Sequence, residues 1–113
     1  MPPNTKKLLA DMLEAARLIE QFTRGKSKDD WSADELLRSA VYFRYVVIGE
    51  ALSQLRTSDS ATADQISEAS RIVGFRNQIV HGYAQIDDEI TWRIVEQKLP
   101  VLIRELQQLL AIS

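Results

Sequence analysis

Apolar residues recur at three- and four-residue steps along most of the chain, whereas strict alternation of apolar and polar residues is absent. This spacing predicts amphipathic helices and no strands. The first helix is expected to begin near Asn4 or Thr5 and to end at Gly25. Its apolar stripe consists of Leu8, Leu9, Met12, Ala15, Ala16, Ile19 and Phe22. The polar residues 24–30 predict a connection with room for a short helical turn.

The second predicted helix is apolar over much of its circumference. The pattern Ser32-Ala-Asp-Glu35 predicts a capping box at its start, and the helix should run to about Arg56. A helix this apolar is typical of the centre of a bundle. Its apolar residues are Leu36, Leu37, Ala40, Val41, Val47, Ile48, Ala51, Leu52 and Leu55. Residues 57–63 are rich in Ser, Thr and Asp and predict a loop.

Two further helices complete the predicted fold. The third should start near Thr62 or Asp64 and stop at His81 or Gly82. Acidic residues 87–89 predict the start of the fourth, which Pro100 should kink or divide. The expected inner face of the fourth helix carries Val95, Leu99, Leu102, Ile103, Leu106 and Leu109. The pattern therefore predicts an all-α, up-and-down bundle of four to five helices, with one domain over residues 1–113.

Composition narrows the possible chemistry. The 14 Lys and Arg against 16 Asp and Glu give a net charge of −2, which argues against a general basic face for nucleic acid. The chain has no cysteine and one histidine, so thiolate sites and paired histidines within one chain are excluded. There is no apolar run long enough to span a membrane and no signal-peptide pattern, so we expect a cytoplasmic protein. No motif indicates a metal or another cofactor.

The segment Phe75-Arg-Asn-Gln-Ile-Val-His-Gly-Tyr83 concentrates the polar groups that could carry chemistry. Asn77 and His81 share a helix face, while Arg76 and His81 lie about 140° apart around the axis. A histidine can move protons near neutral pH, and an arginine can bind phosphate oxygens. Together they could cleave a phosphodiester without a metal, with the ribose 2′-hydroxyl as the nucleophile, which restricts the reaction to RNA.

The same residues also fit purely structural roles. His81 could cap the last carbonyls of its helix, Arg76 could pair with an acid, and Tyr83 could lie at the edge of the core. Asn77 could orient the imidazole, touch phosphate or only bond the helix end. Glu50 lies inside an apolar run and, if buried, needs a partner such as Arg44 or Arg76. Arg71 is expected to be solvated or paired, and the aromatics Trp31, Tyr42, Phe43, Tyr45 and Trp92 are expected in the core or a dimer interface.

Three segments resemble one known family in the same order and spacing. They are Ser70-Arg-Ile-Val-Gly-Phe-Arg-Asn-Gln-Ile-Val-His-Gly-Tyr83, Val46-Val-Ile-Gly-Glu-Ala51 and Ile90-Thr-Trp-Arg-Ile-Val-Glu-Gln-Lys-Leu-Pro100. They resemble the HepT-like toxin family, a branch of the HEPN helical superfamily. The resemblance extends from about Lys7 to Leu110.

The resemblance implies a metal-independent endoribonuclease that acts as the toxin of a two-gene toxin–antitoxin system. It implies that Arg76 and His81 are catalytic, that RNA is the substrate and that two chains form a homodimer with both motifs in one cleft. It also implies that a minimal nucleotidyltransferase antitoxin adds AMP to Tyr83 and so silences the toxin. The alternative is a non-catalytic helical module that binds a nucleotidyltransferase or a nucleotide through the same cleft.

Overall fold

The computed structural model describes residues 2–82 and 85–112, and in these residues the chain forms seven helices and no strand. The helices are α1 (Pro3–Thr23), α2 (Lys28–Ala33), α3 (Glu35–Ser58), α4 (Ser60–Ala63), α5 (Ala69–Gly82), α6 (Asp88–Gln97) and α7 (Leu99–Ile112). Four long segments, α1, α3, α5 and α6–α7, form the bundle, so the predicted all-α fold is confirmed.

The central position of the second predicted helix is confirmed, because α3 packs against α1, α2, α4 and α5. Not every apolar residue of this helix is buried, since Leu36 is 81% exposed. The apolar stripe of α1 is buried or partly buried throughout, and α7 packs on α1. The predicted inner residues of α6 and α7, from Val95 to Leu109, are all buried.

Pro100 divides the last predicted helix into α6 and α7. A proline has no N–H to donate to the carbonyl four residues earlier, so the ladder of helical hydrogen bonds is interrupted there. α6 ends at Gln97, Lys98 caps it with its N–H bonded to the carbonyl of Ile94 at 2.9 Å, and α7 begins at Leu99. The proline thus occupies the first turn of α7, where a missing N–H costs least.

The capping box was predicted in the wrong place. It lies at the start of α2, where the Ser27 hydroxyl accepts from the Asp30 N–H and the Asp30 carboxylate accepts from the Ser27 N–H. α3 is capped by Asp34, whose side chain accepts from the Leu37 N–H at 3.0 Å. The short α2 persists because Trp31 is fully buried and its indole N–H donates to the Asp88 carbonyl at 2.8 Å.

The third predicted helix begins later than expected, at Ala69, and α4 occupies part of the predicted loop. Asp59 explains the separate turn of α4, because its carboxylate accepts from the hydroxyls of Thr62 and Thr5 at 2.6 and 2.8 Å. These hydrogen bonds, that of Thr62 first, hold the pKa of the Asp59 carboxyl below its usual value. The carboxylate therefore fastens α4 to the first turn of α1.

Candidate functional site

The candidate site lies where α5 crosses α3, and Gly49 determines how closely the two helices approach. A Cβ atom at Gly49 would lie 2.3 Å from the Cβ of Arg76 and 2.5 Å from its Cγ, far inside van der Waals contact. Gly49 is buried, and only a residue without a side chain fits there. The missing side chain thus makes room for the stem of Arg76 against the backbone of α3.

The guanidinium of Arg76 is held by two neighbours at the surface end of this crossing. Its Nη2 forms a hydrogen-bonded ion pair with the Glu50 carboxylate, and its Nη1 donates to the Asn77 side-chain oxygen at 2.6 Å. The Nε atom is buried and has no hydrogen-bond partner among the described residues. Because the Arg76 side chain is only 21% exposed and that of Glu50 is 47% exposed, the pair sits in a partly desolvated position.

These contacts show which neighbours Glu50 and Asn77 have in the folded chain. Glu50 pairs with Arg76, one of the two partners that the sequence analysis named for it. Its carboxylate, however, is half-exposed and not buried within the apolar run. The Asn77 oxygen accepts from the arginine, so this side chain holds Arg76. Arg44 instead lies over the ring of Phe43 at 5.2 Å, and Arg71 pairs with Glu68 at 3.5 Å.

His81 is exposed in the last turn of α5. No hydrogen bond or ion pair in the part of the chain that the structure describes joins it to Arg76 or to the last carbonyls of the helix. The two residues differ by about 140° around the helix axis, so Arg76 faces α3 while His81 faces solvent. Tyr83, the predicted modification site, lies outside the described residues.

Large apolar side chains are exposed on α3 and α5, the two helices that carry the Arg76–Glu50 pair. Leu36, Phe43 and Glu50 are spaced at seven-residue intervals on α3 and therefore share one face of the helix. Leu36 is 81% exposed and Phe43 is 59% exposed. Val80, four residues after Arg76 on α5, is 44% exposed. We call the exposed residues Leu36, Phe43 and Val80 the apolar rim of the site.

The other predicted aromatics are structural. Trp31 contacts Trp92 and Tyr42 with ring centroids 5.5 and 6.0 Å apart, and Tyr45 meets Phe75 edge-to-face at 5.4 Å. The Tyr42 hydroxyl donates to the Asp88 carboxylate at 2.5 Å. Burial, followed by this hydrogen bond, raises the pKa of Tyr42. The predicted aromatics Trp31, Tyr42, Tyr45 and Trp92 are buried or half-buried, as expected of core residues, and Phe43 is the exception.

Gly49 is the site residue that sequence analysis did not single out. The available signal was a glycine in the middle of a long apolar helix, which destabilises the helix by roughly 1 kcal/mol relative to alanine unless packing requires it. That signal indicates a close approach of another element but does not name its partner. Only the packed structure shows that the partner is Arg76.

Replacing Gly49 with alanine is expected to lower the free energy of unfolding by about 1–3 kcal/mol, because the new methyl group forces α5 away from α3. Gly74→Ala on α5 is the matched control, since a Cβ there meets nothing within 4 Å. Urea denaturation measures both changes. Equal stability of the Gly49→Ala variant and the wild type would contradict the close approach, whereas Gly74→Ala should be neutral or slightly stabilising.

The family model of "Ribonuclease HepT-like" proteins matches residues 12–109, which include α3, α5 and the whole Arg76 cluster. The chain belongs to the HepT-like ribonuclease family. In the described residues, no group of three or more histidine, aspartate or glutamate side chains converges as ligands for a metal ion. Every helix in this part of the chain is too short or too polar to cross a membrane.

Curated relatives carry ribonuclease names. The chain is 29% identical to the "Probable ribonuclease HepT" of Thermococcus cleftensis, over 96% of this chain and 98% of that protein. It is also 29% identical to a "Putative RNase" of Methanocaldococcus jannaschii, over 92% of this chain and 94% of the relative. A longer protein of the same organism, "Gamma-glutamylcyclotransferase and putative RNase", is 28% identical over 97% of this chain but is only 49% covered. No solved structure matches the chain significantly.

Proposed function

We propose that this HepT-like protein is an endoribonuclease that cleaves RNA without a metal ion, with Arg76 and His81 as its catalytic residues. The observation that carries the proposal is the fixed guanidinium of Arg76, seated over Gly49 and held by Glu50 and Asn77 at the surface. A guanidinium fixed before the substrate arrives can stabilise charge on a phosphate without reorganising. The family membership and the ribonuclease names of the relatives support the same activity.

In the proposed reaction, the ribose 2′-oxygen attacks the adjacent phosphorus while the 5′-oxygen of the next nucleotide leaves. One proton leaves the 2′-hydroxyl and one joins the leaving oxygen, and the exposed imidazole of His81 is suited to carry one of them. Arg76 stabilises the negative charge that builds on the phosphate oxygens. An approaching phosphate would share the guanidinium with Glu50, whose half-exposed carboxylate can swing into solvent.

We further propose that the active form is a homodimer. Within one chain Arg76 faces α3 and His81 faces solvent, so a second chain is needed to bring an imidazole opposite a guanidinium. The apolar rim supports this arrangement, because Phe43, two turns before Glu50 on α3, and Val80, one turn after Arg76 on α5, are exposed, and exposed apolar residues near a site mark interaction surfaces. Two chains also place two arginines in one cleft, which makes the field there positive despite the net charge of −2.

The regulatory part of the proposal concerns Tyr83 and a partner enzyme. We propose that the chain is the toxin of a toxin–antitoxin pair, and that a minimal nucleotidyltransferase silences it by adding AMP to Tyr83. In that step the tyrosine oxygen attacks the α-phosphorus of ATP, pyrophosphate leaves and the phenolic proton goes to solvent. Tyr83 follows His81 by two residues, so the added AMP would bring bulk and negative charge next to the phosphate site.

Incubation with the partner nucleotidyltransferase and ATP is expected to raise the intact mass of the protein by one or more AMP units. The Tyr83→Phe variant should show no rise, because it lacks the attacking oxygen. Tyr42→Phe is the matched control and should still be modified, since Tyr42 is held inside the bundle by Asp88. A mass increase in Tyr83→Phe equal to that of the wild type would contradict the assignment of Tyr83.

One observation favours the alternative of a non-catalytic binding module. The guanidinium of Arg76 already has a carboxylate partner, and the chain as a whole is acidic. The two functions are separated by incubating the purified protein in chelator with an RNA oligonucleotide and with its 2′-O-methylated copy. An endoribonuclease cleaves only the RNA, and a binding module leaves both intact. The cytoplasmic location remains a prediction.

A further inference from the structure

A cavity, called the α5–α6 cavity below, lies between α5 and α6. Its volume is about 280 Å³, close to the lower limit of about 300 Å³ for small-molecule sites. The walls are mostly apolar and are formed by Ile72 and Phe75 of α5 and by Ile90 and Ile94 of α6. Ile90 is 49% exposed, which is unusual for a large aliphatic side chain beside a cavity and leaves the entrance apolar.

The buried end of this cavity is formed by Tyr45 of α3. Tyr45 is only 3% exposed, and its hydroxyl has no hydrogen-bond partner among the described residues. Buried tyrosine hydroxyls usually have a partner, and this oxygen is also closed off from solvent, so a ligand can bond it only when the Tyr45 ring turns toward the cavity. Burial raises the pKa of Tyr45, which keeps the hydroxyl protonated and able to donate.

The mouth of the cavity carries more positive than negative charge. Arg71 and Lys98 share one carboxylate, that of Glu68, at 3.5 and 3.2 Å. Lys98 is 46% exposed and Arg71 is 80% exposed at their side chains, so both can turn to a second anion. The cavity therefore combines an apolar body, a net positive entrance and, behind its inner wall, a tyrosine hydroxyl with no partner among the described residues.

We propose that this cavity binds a nucleobase whose sugar phosphate is held at the entrance by Arg71 and Lys98. A base offers a flat apolar face to Phe75 and the isoleucines, ring acceptors to the Tyr45 hydroxyl, and an attached anion for the two cations. The proposal rests on the proposed ribonuclease function, which it deepens with a base-binding subsite. The base can come from a free mononucleotide or from a nucleotide that flanks the cleaved bond.

The cavity and the catalytic arginine are coupled through α5. Phe75, which lines the cavity, directly precedes Arg76, and Ile72, one turn before Arg76, lines it as well. A base under this turn of α5 would stiffen the stretch of helix that carries Arg76.

The test is a titration of the isotope-labelled protein followed by amide chemical shifts. The probes are adenosine, AMP, octanoate as an aliphatic anion, and 2′-O-methylated AAA and UUU trinucleotides, which resist cleavage. We expect AMP or a trinucleotide to shift the amide signals of Phe75 and Ile94, and we expect these shifts to reach a plateau as binding saturates. AMP should bind more tightly than adenosine, since only AMP carries the phosphate. Saturation by a trinucleotide alone identifies RNA as the source of the base, and saturation by AMP as well identifies a site for free nucleotides.

Three variants report on the three features of the site. Tyr45→Phe removes only the orphaned hydroxyl, so the fold is kept and binding should weaken about 5- to 10-fold. Arg71→Ala should weaken AMP but leave adenosine unchanged, and Ile94→Trp should abolish binding by filling the cavity. Arg93→Ala is the control, because Arg93 is exposed on α6 and does not line the cavity.

The proposal is overturned if neither AMP nor a trinucleotide binds at millimolar concentration. Unchanged binding in Tyr45→Phe and Ile94→Trp also overturns it, as does octanoate binding as tightly as AMP. The titration detects binding and does not depend on cleavage. If the protein binds the base but does not cleave RNA, only the ribonuclease proposal is refuted. If it cleaves RNA but does not bind the base, only the base-binding proposal is refuted.

Discussion

Replacing His81 with alanine is expected to slow RNA cleavage by about 100- to 10,000-fold, the usual contribution of a positioned acid or base. The fold should be unaffected, because the His81 side chain is exposed and makes no hydrogen bond in the described part of the chain. Gln78→Ala is the matched control, since Gln78 is an exposed polar residue of the same helix. The measurement is the initial rate on an RNA oligonucleotide in chelator.

Arg76→Ala is expected to slow cleavage by about 100- to 1,000-fold in the same assay, the usual cost of removing one donor that stabilises a developing negative charge. Arg76→Lys keeps the charge but loses the planar fork of donors, so it cannot hold Glu50 and Asn77 in the same geometry and should recover only part of the rate. Circular dichroism checks that each variant is folded. Equal rates for wild type, His81→Ala and Arg76→Ala would remove these residues from the reaction.

The second large effect is expected from Phe43→Glu. Phe43 is the aromatic residue of the apolar rim and lies next to Arg44, whose guanidinium stands over its ring. A carboxylate at the centre of a dimer contact should weaken association about 30-fold or more, as truncation of an interface hot spot does. Because the cleft is proposed to need both chains, RNA cleavage should fall with the fraction of dimer.

Light scattering at several protein concentrations measures the association, and Ile90→Glu provides the control for it. Ile90 is also a half-exposed apolar residue, but it lies on α6 and lines the α5–α6 cavity. Its substitution should leave the dimer intact. A wild-type protein that is monomeric at every concentration, or a Phe43→Glu dimer as stable as wild type, would contradict the proposed interface.

The long helices could be predicted from the sequence because their apolar spacing is local information. The stripe of α1 and the division at Pro100 follow from periodicity and from a missing N–H. The start of α3 did not follow, since Ser27 and Ser32 both begin patterns that resemble capping boxes. Trp31 decides which of the two patterns forms a capping box. It is buried, and its indole N–H donates to the carbonyl of Asp88, 57 residues further along the chain, which holds α2 in place.

The site, like the helices, could be predicted from the sequence only where local information decides it. The segment from Arg76 to His81 was recognisable from residue types and from the family resemblance, and Glu50 was correctly offered as a partner for Arg76. The role of Gly49 was not accessible, because it depends on how closely two distant segments pack. The exposure of Leu36 was not accessible either, since apolar spacing alone does not show which side of the helix packs inside the bundle.

The central claim is that a guanidinium from one chain and an imidazole from the other serve the same RNA phosphate. It is tested most directly by co-expressing Arg76→Ala and His81→Ala chains with different tags and purifying the mixed dimer. Each mixed dimer retains one intact arginine on one chain and one intact histidine on the other. The account predicts RNA cleavage well above that of either variant alone, and a mixed dimer no more active than the separate variants would contradict it.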